Sequence, residues 1–134
     1  MPAAKPLALP GVWLGPWALA VAVVVVGSLG PPPPSVGDLP NTDKWMHVGA
    51  YLVLGVTAVQ VFPRSVTLGA AAAGLIGLGV LLEIGQGTLT DGRMMDGWDA
   101  VANGIGVALG VSTAWLPGRD LLLTVERRFV GPRR

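Results

Sequence analysis

Apolar residues in this chain fall in long blocks, and polar ones gather at the block ends. Val12 to Leu29 is almost uninterrupted, with Ala18 to Val26 wholly apolar. A run of that length crosses a hydrocarbon core of about 30 Å as a helix with little tilt. Pro31 to Pro34 follow and predict a stiff polyproline II spacer, leading through Gly37 to Pro40 to a helix start at Asn41-Thr42-Asp43. A second helix is predicted from about Trp45 to Phe62, stopped by Pro63, and a third from about Ser65 to Gln86. A fourth runs from about Trp98 to Leu116. The fold class expected is all-α: an integral membrane four-helix bundle whose second and third helices are neighbours across the tight Pro63-Arg64 connection. Gly69, Ala73 and Gly77 in the third helix, and Gly106 and Gly110 in the fourth, recur at four-residue spacing. Such small-residue faces let helices approach closely within one chain, and they also suit a homo-oligomer. The first run competes with a cleaved signal peptide. Only Lys5 precedes it, however, and the prolines follow its one small-residue exit at Gly27-Ser28, so a retained helix is the reading adopted.

Composition narrows the class further. Of 134 residues, 51% are hydrophobic and 13% charged, the latter about half the usual share of a soluble domain. A single membrane domain over 1–134 leaves no room for a soluble catalytic domain. The lack of cysteine removes disulfides, thiolate nucleophiles and sulfur metal sites. A net charge of +1 conceals an asymmetry. In a four-span topology Lys5, Arg64, Arg119, Arg127, Arg128, Arg133 and Arg134 fall on one side, and Lys44 and Arg93 on the other. Positive residues are retained in the cytoplasm, so both termini are expected there. Trp13 and Trp115 then mark the inner interface, Trp45 and Trp98 the outer one, and Trp17 lies a turn deeper. The tail from Asp120 to Val130, in the segment 117–134, reads equally as an interfacial helix on anionic lipid and as an ordinary positive-inside anchor. Its basic residues are too few, and too close to a span, to make nucleic acid a partner.

Three polar clusters then meet at the outer side. Lys44, His47 and Tyr51 are spaced i, i+3, i+7 and follow Asp43; Asp96, Asp99 and Asn103 repeat that spacing; Glu83 and Gln86 are a turn apart. Each set lines one helical face. At about 1.5 Å per residue, Tyr51, Glu83 and Asn103 should lie roughly 7 to 10 Å below the interface, at the floor of a shallow polar crevice. Charged groups at such depth cost several kcal/mol unless paired, hydrated or used. Asp43, Glu83, Asp96 and Asp99 outnumber Lys44 and Arg93 by two charges, so a proton on Glu83, a cationic His47 or an external cation must compensate. Arg93 is the expected partner of Glu83 or Asp99, because its planar fork holds a carboxylate bidentately. Each group also has a plain structural reading: Asp43 as a helix cap, Asn103 as a bridge between helices, Arg93 with Asp96 as a loop ion pair. His47, the lone histidine, is expected to hydrogen-bond Tyr51 or Asp43 rather than ligate a metal, and neither metal nor cofactor is expected.

At these residues the chain resembles the VanZ-like family. The family pattern is Asp-Lys-x-x-His with a Tyr one turn on, then Glu-x-x-Gln, then Arg-x-x-Asp-x-x-Asp-x-x-x-Asn-x-x-Gly. It is matched by Asp43, Lys44, His47, Tyr51, Glu83, Gln86, Arg93, Asp96, Asp99, Asn103 and Gly106, within about 38–110. The resemblance implies a small multi-helix membrane protein acting at the outer face, in cell-envelope function or glycopeptide (teicoplanin) resistance. The expected partners are the lipid bilayer and either a lipid-linked envelope precursor or a glycopeptide.

Two functions of different class follow. The first is a non-enzymatic envelope protein whose crevice binds a head group or a cationic ligand. The second is a small intramembrane enzyme acting on a lipid-linked head group. In that case Glu83 or Asp99 would be general base, His47 acid or base, and Arg93 with Lys44 would hold an anionic group. Transport through a single chain is disfavoured, since the first helix carries no ionisable group and the third is apolar from Thr67 to Leu82.

Overall fold

A computed structural model describes residues 3–31, 41–91 and 94–131. The expected Pro31–Pro34 spacer thus lies, beyond Pro31 itself, outside the described residues. The described chain is all-helical: α1 Pro10–Leu29, α2 Thr42–Val61, α3 Val66–Leu89, α4 Gly97–Ser112 and α5 Leu121–Phe129, with 3-10 turns at Thr113–Trp115 and Pro117–Asp120 between the last two. The helices of the sequence reading are present with shifted ends, and α5 is added. α1 and α3 are long and apolar enough to cross a membrane, and a third crossing arises only if α4 and α5, bent by 82°, count as one. This is a membrane protein by that criterion. α2 has the length, but Asp43, Lys44 and His47 occupy its first two turns.

Helix ends follow local chemistry. Ser65 caps α3 by accepting from the Thr67 N–H, and Asp96 caps α4 by accepting from the Trp98 N–H. Asn41 occupies the N-cap position of α2 in a left-handed conformation, with φ of 60°. Asp43 is therefore not the cap. It sits in the first turn, where an acid still favours the positive end of the helix dipole. Pro117 holds Leu116 extended, ending the run that begins at α4 and setting the bend into α5.

The tightest packing joins α2 to α4 through glycines. A Cβ on Gly106 would lie 2.5 Å from the Val48 carbonyl oxygen, and one on Gly110 would lie 2.5 Å from that of Leu52. Gly55 faces Gly110 across the same seam. The stripe Gly69, Ala73 and Gly77 is exposed, and Gly69 and Gly77 meet nothing within 4 Å, so it does not pack within the chain as the sequence spacing suggested. Gly79 packs instead, against Asn103, and Gly85 against Leu29. Tyr51, Leu54, Leu75 and Val107 form the central core, with Trp17 and Val21 of α1 against it. A second core of Ala58, Val59, Leu68 and Ala114 fills the other end. α1 buries no residue fully and turns Leu19, Val23 and Val26 outward, Val26 being 71% exposed. Such a surface suits lipid, where apolar exposure carries no penalty.

The chain ends meet at the end of the helices remote from Asp43 and Asp96. Lys5 ion-pairs with Asp120 at 2.8 Å, and its backbone N–H donates to the Val61 carbonyl. Glu126 of α5, only 2% exposed, accepts from the Ala8 N–H at 2.6 Å, the Leu9 N–H at 3.1 Å and the Trp13 indole at 2.7 Å. Burial alone would raise its pKa, but these three donors outweigh it and hold the carboxyl below its ordinary range. Asp120 is lowered too, chiefly by its bond to Lys5.

Candidate functional site

The polar cluster is assembled where three helix ends converge: the starts of α2 and α4, and the last third of α3. The close α2–α4 seam sets the distances. With no side chains at Gly106 and Gly110, the two helices run near enough for residues one to two turns from each N-terminus to touch.

Lys44 on α2 reaches across to α4 and bonds Asp96 Oδ2 at 2.7 Å and Asp99 Oδ1 at 3.0 Å. Its bond to Asp96, with the Trp98 N–H behind it, holds the Asp96 carboxyl below the usual range. One turn deeper, His47 Nδ1 lies 3.0 Å from Asn103 Oδ1. His47 Nε2 lies 3.7 Å from Asp43 Oδ1 and 3.8 Å from Asp99 Oδ2. Asn103 is 2% exposed and fits because α3 offers Gly79 there; a Cβ at Gly79 would meet the Asn103 Cβ at 3.0 Å. Asn103 is thus a bridge between α4 and α2, and His47 bonds it rather than Tyr51.

Glu83 comes in from α3, 2% exposed, with Oε1 3.9 Å from His47 Nδ1. Among the described residues neither of its oxygens has a partner at hydrogen-bonding geometry, although the Asp96 backbone N–H lies near enough to act on it electrostatically. The Tyr51 hydroxyl is also buried without a partner among the described residues, and it feels the Glu83 charge. Buried polar atoms left unpaired are uncommon and call for an explanation.

Asp43, Lys44, His47, Tyr51, Glu83, Asp96, Asp99 and Asn103 therefore share one region. Gln86 does not join them. Its amide turns to α1 and donates to the Ser28 carbonyl at 2.9 Å, tying α3 to the end of α1. Arg93, expected to pair with Glu83 or Asp99, lies outside the described residues; the cation seen on Asp99 is Lys44. Sequence reasoning placed no weight on Glu126, the anchor of the opposite end. Its one signal was an acid directly before the Arg127-Arg128 pair of the tail.

Beside the cluster a cavity of about 390 Å³ opens between α1 and α2. Its polar wall is Asp43, His47 and Tyr51, and its apolar wall includes Val23, Val24 and Met46. A group entering there meets carboxylate, imidazole and phenol on one side and hydrocarbon on the other. The arrangement can bind cations or hydroxyl-rich groups, and it can move a proton between His47 and a carboxylate. Comparison of the chain with protein-family models, curated proteins and solved structures gives no match.

Proposed function

We propose that this protein is a multi-pass four-helix bundle of a bacterial cytoplasmic membrane, with both termini in the cytoplasm. In this reading its polar cluster holds the head group of an amphiphile at the extracytoplasmic face. The observation that carries the reading is the cavity between α1 and α2, with Asp43, His47 and Tyr51 on one wall and Val23 and Val24 on the other. A head group lodges against the first wall while an acyl or polyprenyl chain lies along α1. The charge asymmetry supports the orientation, and the motif resemblance to the VanZ-like family supports an envelope role that includes glycopeptide resistance. A second reading, catalysis on a lipid-linked head group, is favoured by the unpaired Glu83 carboxylate 3.9 Å from His47. There Glu83 or Asp99 takes a proton and His47 relays it.

The test is to purify the protein in native membrane discs and identify retained lipid by mass spectrometry, in parallel with teicoplanin sensitivity of a susceptible host at matched expression. Glu83→Gln keeps the shape and removes the charge, and Arg93→Lys keeps the charge and loses the fork. Both variants should fold yet lose the retained species and any protection. If wild type and both variants retain the same lipids and protect equally, the cluster is structural and both readings fail. If the wild type gives no protection but retains a species that the variants lose, the resistance role falls and head-group binding remains.

A further inference from the structure

We propose that Asp43, His47 and Asp99 form a binding site for one divalent cation of the Mn²⁺ or Zn²⁺ type, with Asn103 and Glu83 behind the histidine. The proposal deepens the head-group reading above and rests on it for the identity of the final ligand. It also revises the expectation, drawn from a single histidine, that no metal is held.

The three residues present one ligand atom each, all within 4.8 Å of one another. The tautomer of His47 makes that convergence informative. Asn103 Oδ1 only accepts, so the Nδ1 facing it at 3.0 Å carries the hydrogen. The Nε2 lone pair then points toward Asp43 Oδ1 and Asp99 Oδ2, at 3.7 and 3.8 Å. Three electron-rich atoms face one point, with no donor between them among the described residues. A proton on Nε2 would satisfy neither carboxylate, since both lie beyond hydrogen-bonding distance. A cation at about 2.1 Å from each atom does satisfy them, and bringing the two carboxylate oxygens from 3.7 and 3.8 Å to roughly 3.4 Å from Nε2 takes only a few tenths of an ångström.

The second observation is independent of the acidic cluster. Glu83 is 2% exposed, its oxygens are unpartnered among the described residues, and Oε1 approaches His47 Nδ1 at 3.9 Å. A carboxylate or carbonyl behind the distal N–H of a ligating histidine fixes the tautomer and raises ligand basicity, and here Asn103 and Glu83 stand in that place. Among the described residues no cation lies against Glu83, and a dication one imidazole away would offset its negative charge. Asp99 divides its oxygens in the way the site requires: Oδ1 bonds Lys44, leaving Oδ2 for the metal.

One imidazole and two carboxylates, with no thiolate in the chain, suit Mn²⁺ or Zn²⁺ and not a soft ion such as Cu⁺. Three protein ligands leave coordination positions open, and Asp43 and His47 line the cavity between α1 and α2. An anionic oxygen, such as that of a head-group phosphate, fills the open position. This explains how a cluster rich in carboxylates binds an anion at all.

The experiment uses the full chain in phosphatidylcholine nanodiscs, stripped with EDTA and titrated with Mn²⁺ by the loss of the free-ion EPR signal, then challenged with Zn²⁺. The expected result is one Mn²⁺ per chain, displaced by Zn²⁺. His47→Gln and Asp99→Asn should abolish binding. Glu83→Gln should weaken it on the order of tenfold or more, as loss of an outer-shell partner does. Asp43 is exposed, so Asp43→Asn should fold as wild type and still lose affinity, which keeps the test decisive if a buried variant fails to fold. Asp120→Asn, at the opposite end, should bind as wild type. No uptake by well-folded protein at millimolar Mn²⁺, or uptake indifferent to Asp43→Asn and His47→Gln, overturns the site. If the stripped protein takes up no Mn²⁺ yet still retains its lipid, the metal proposal fails while the head-group reading stands. If metal binds as expected but retained lipid ignores every cluster variant, the metal site stands and the head-group reading fails.

Discussion

Gly110→Ala adds one methyl group to the α2–α4 seam at its narrowest point. The new Cβ would lie 2.5 Å from the Leu52 carbonyl oxygen and 2.8 Å from both the Gly55 Cα and the Val56 nitrogen. All three are backbone atoms, so no rotamer change relieves the contact. The helices must separate by roughly 1 Å to restore ordinary contact near 3.5 Å, and that displacement propagates to the Lys44 and His47 contacts at the open end. Overpacking of this kind costs about 1–3 kcal/mol. Gly77→Ala is the matched control: nothing lies within 4 Å of its Cβ, and replacing a helical glycine by alanine gains up to about 1 kcal/mol. Reversible unfolding in mixed micelles titrated with SDS, followed by tryptophan emission, should therefore separate the two variants by about 1–4 kcal/mol, with Gly110→Ala the less stable. If Gly110→Ala unfolds with Gly77→Ala, the seam is not as close as described, and the convergence of polar residues that depends on it is also in doubt.

Other outcomes follow from separate parts of the molecule. Asp96→Ala should lower the melting temperature by a few degrees through loss of the α4 cap, whereas Asp96→Asn keeps an accepting oxygen for the Trp98 N–H and should lose mainly the Lys44 pairing; thermal unfolding at low and high salt distinguishes the two. Glu126 and Asp120 both have carboxyl pKa values lowered on folding. Their stabilisation is therefore complete above the unfolded carboxylate values near 4 and is lost as pH falls through the lower folded values. Acid titration read as the emission difference between wild type and Trp13→Phe should show this release, and Glu126→Gln should abolish the transition. For orientation, Thr90→Cys should react with an impermeant thiol reagent in intact cells and Ser65→Cys should not; the reverse pattern inverts the topology and places the cluster in the cytoplasm.

Much of the architecture was legible because membrane helices announce themselves by length and composition. The runs at Val12–Leu29 and Ser65–Gln86 became α1 and α3 with no end moved by more than three residues. The meeting of the starts of α2 and α4 was legible from i, i+3, i+7 spacing, since helical phase is a local property. Pairing was less so. The sequence made Arg93 the obvious cation, and it lies outside the described residues; the cation found on Asp96 and Asp99 is Lys44, on the neighbouring helix and one turn from His47. Gln86 lies on nearly the same face as Glu83, about 60° round the helix, and that offset with one turn of rise is enough to turn it to α1. The stripe at Gly69, Ala73 and Gly77 was indistinguishable by spacing from the seam glycines Gly106 and Gly110. Which small-residue face is buried depends on helix rotation, and that is settled by partners distant in sequence.

The bonds that Glu126 makes to Ala8, Leu9 and Trp13 join residues more than a hundred positions apart, which has a consequence for how the chain is made. While a ribosome extends the polypeptide, α1 enters the bilayer long before α5 exists. Until α5 emerges, α1 is held to its neighbours by side-chain contacts with α2 and α3, the Trp17 indole bond to the Leu54 carbonyl, the Gln86 bond to Ser28 and, just before it, the Lys5 N–H bond to Val61. Emergence of α5 and docking of the segment that precedes α1 are therefore coupled events. A nascent chain stalled before codon 126 would leave the first helix free to drift, and quality control in the membrane would meet a substrate with one loose apolar rod rather than a closed bundle.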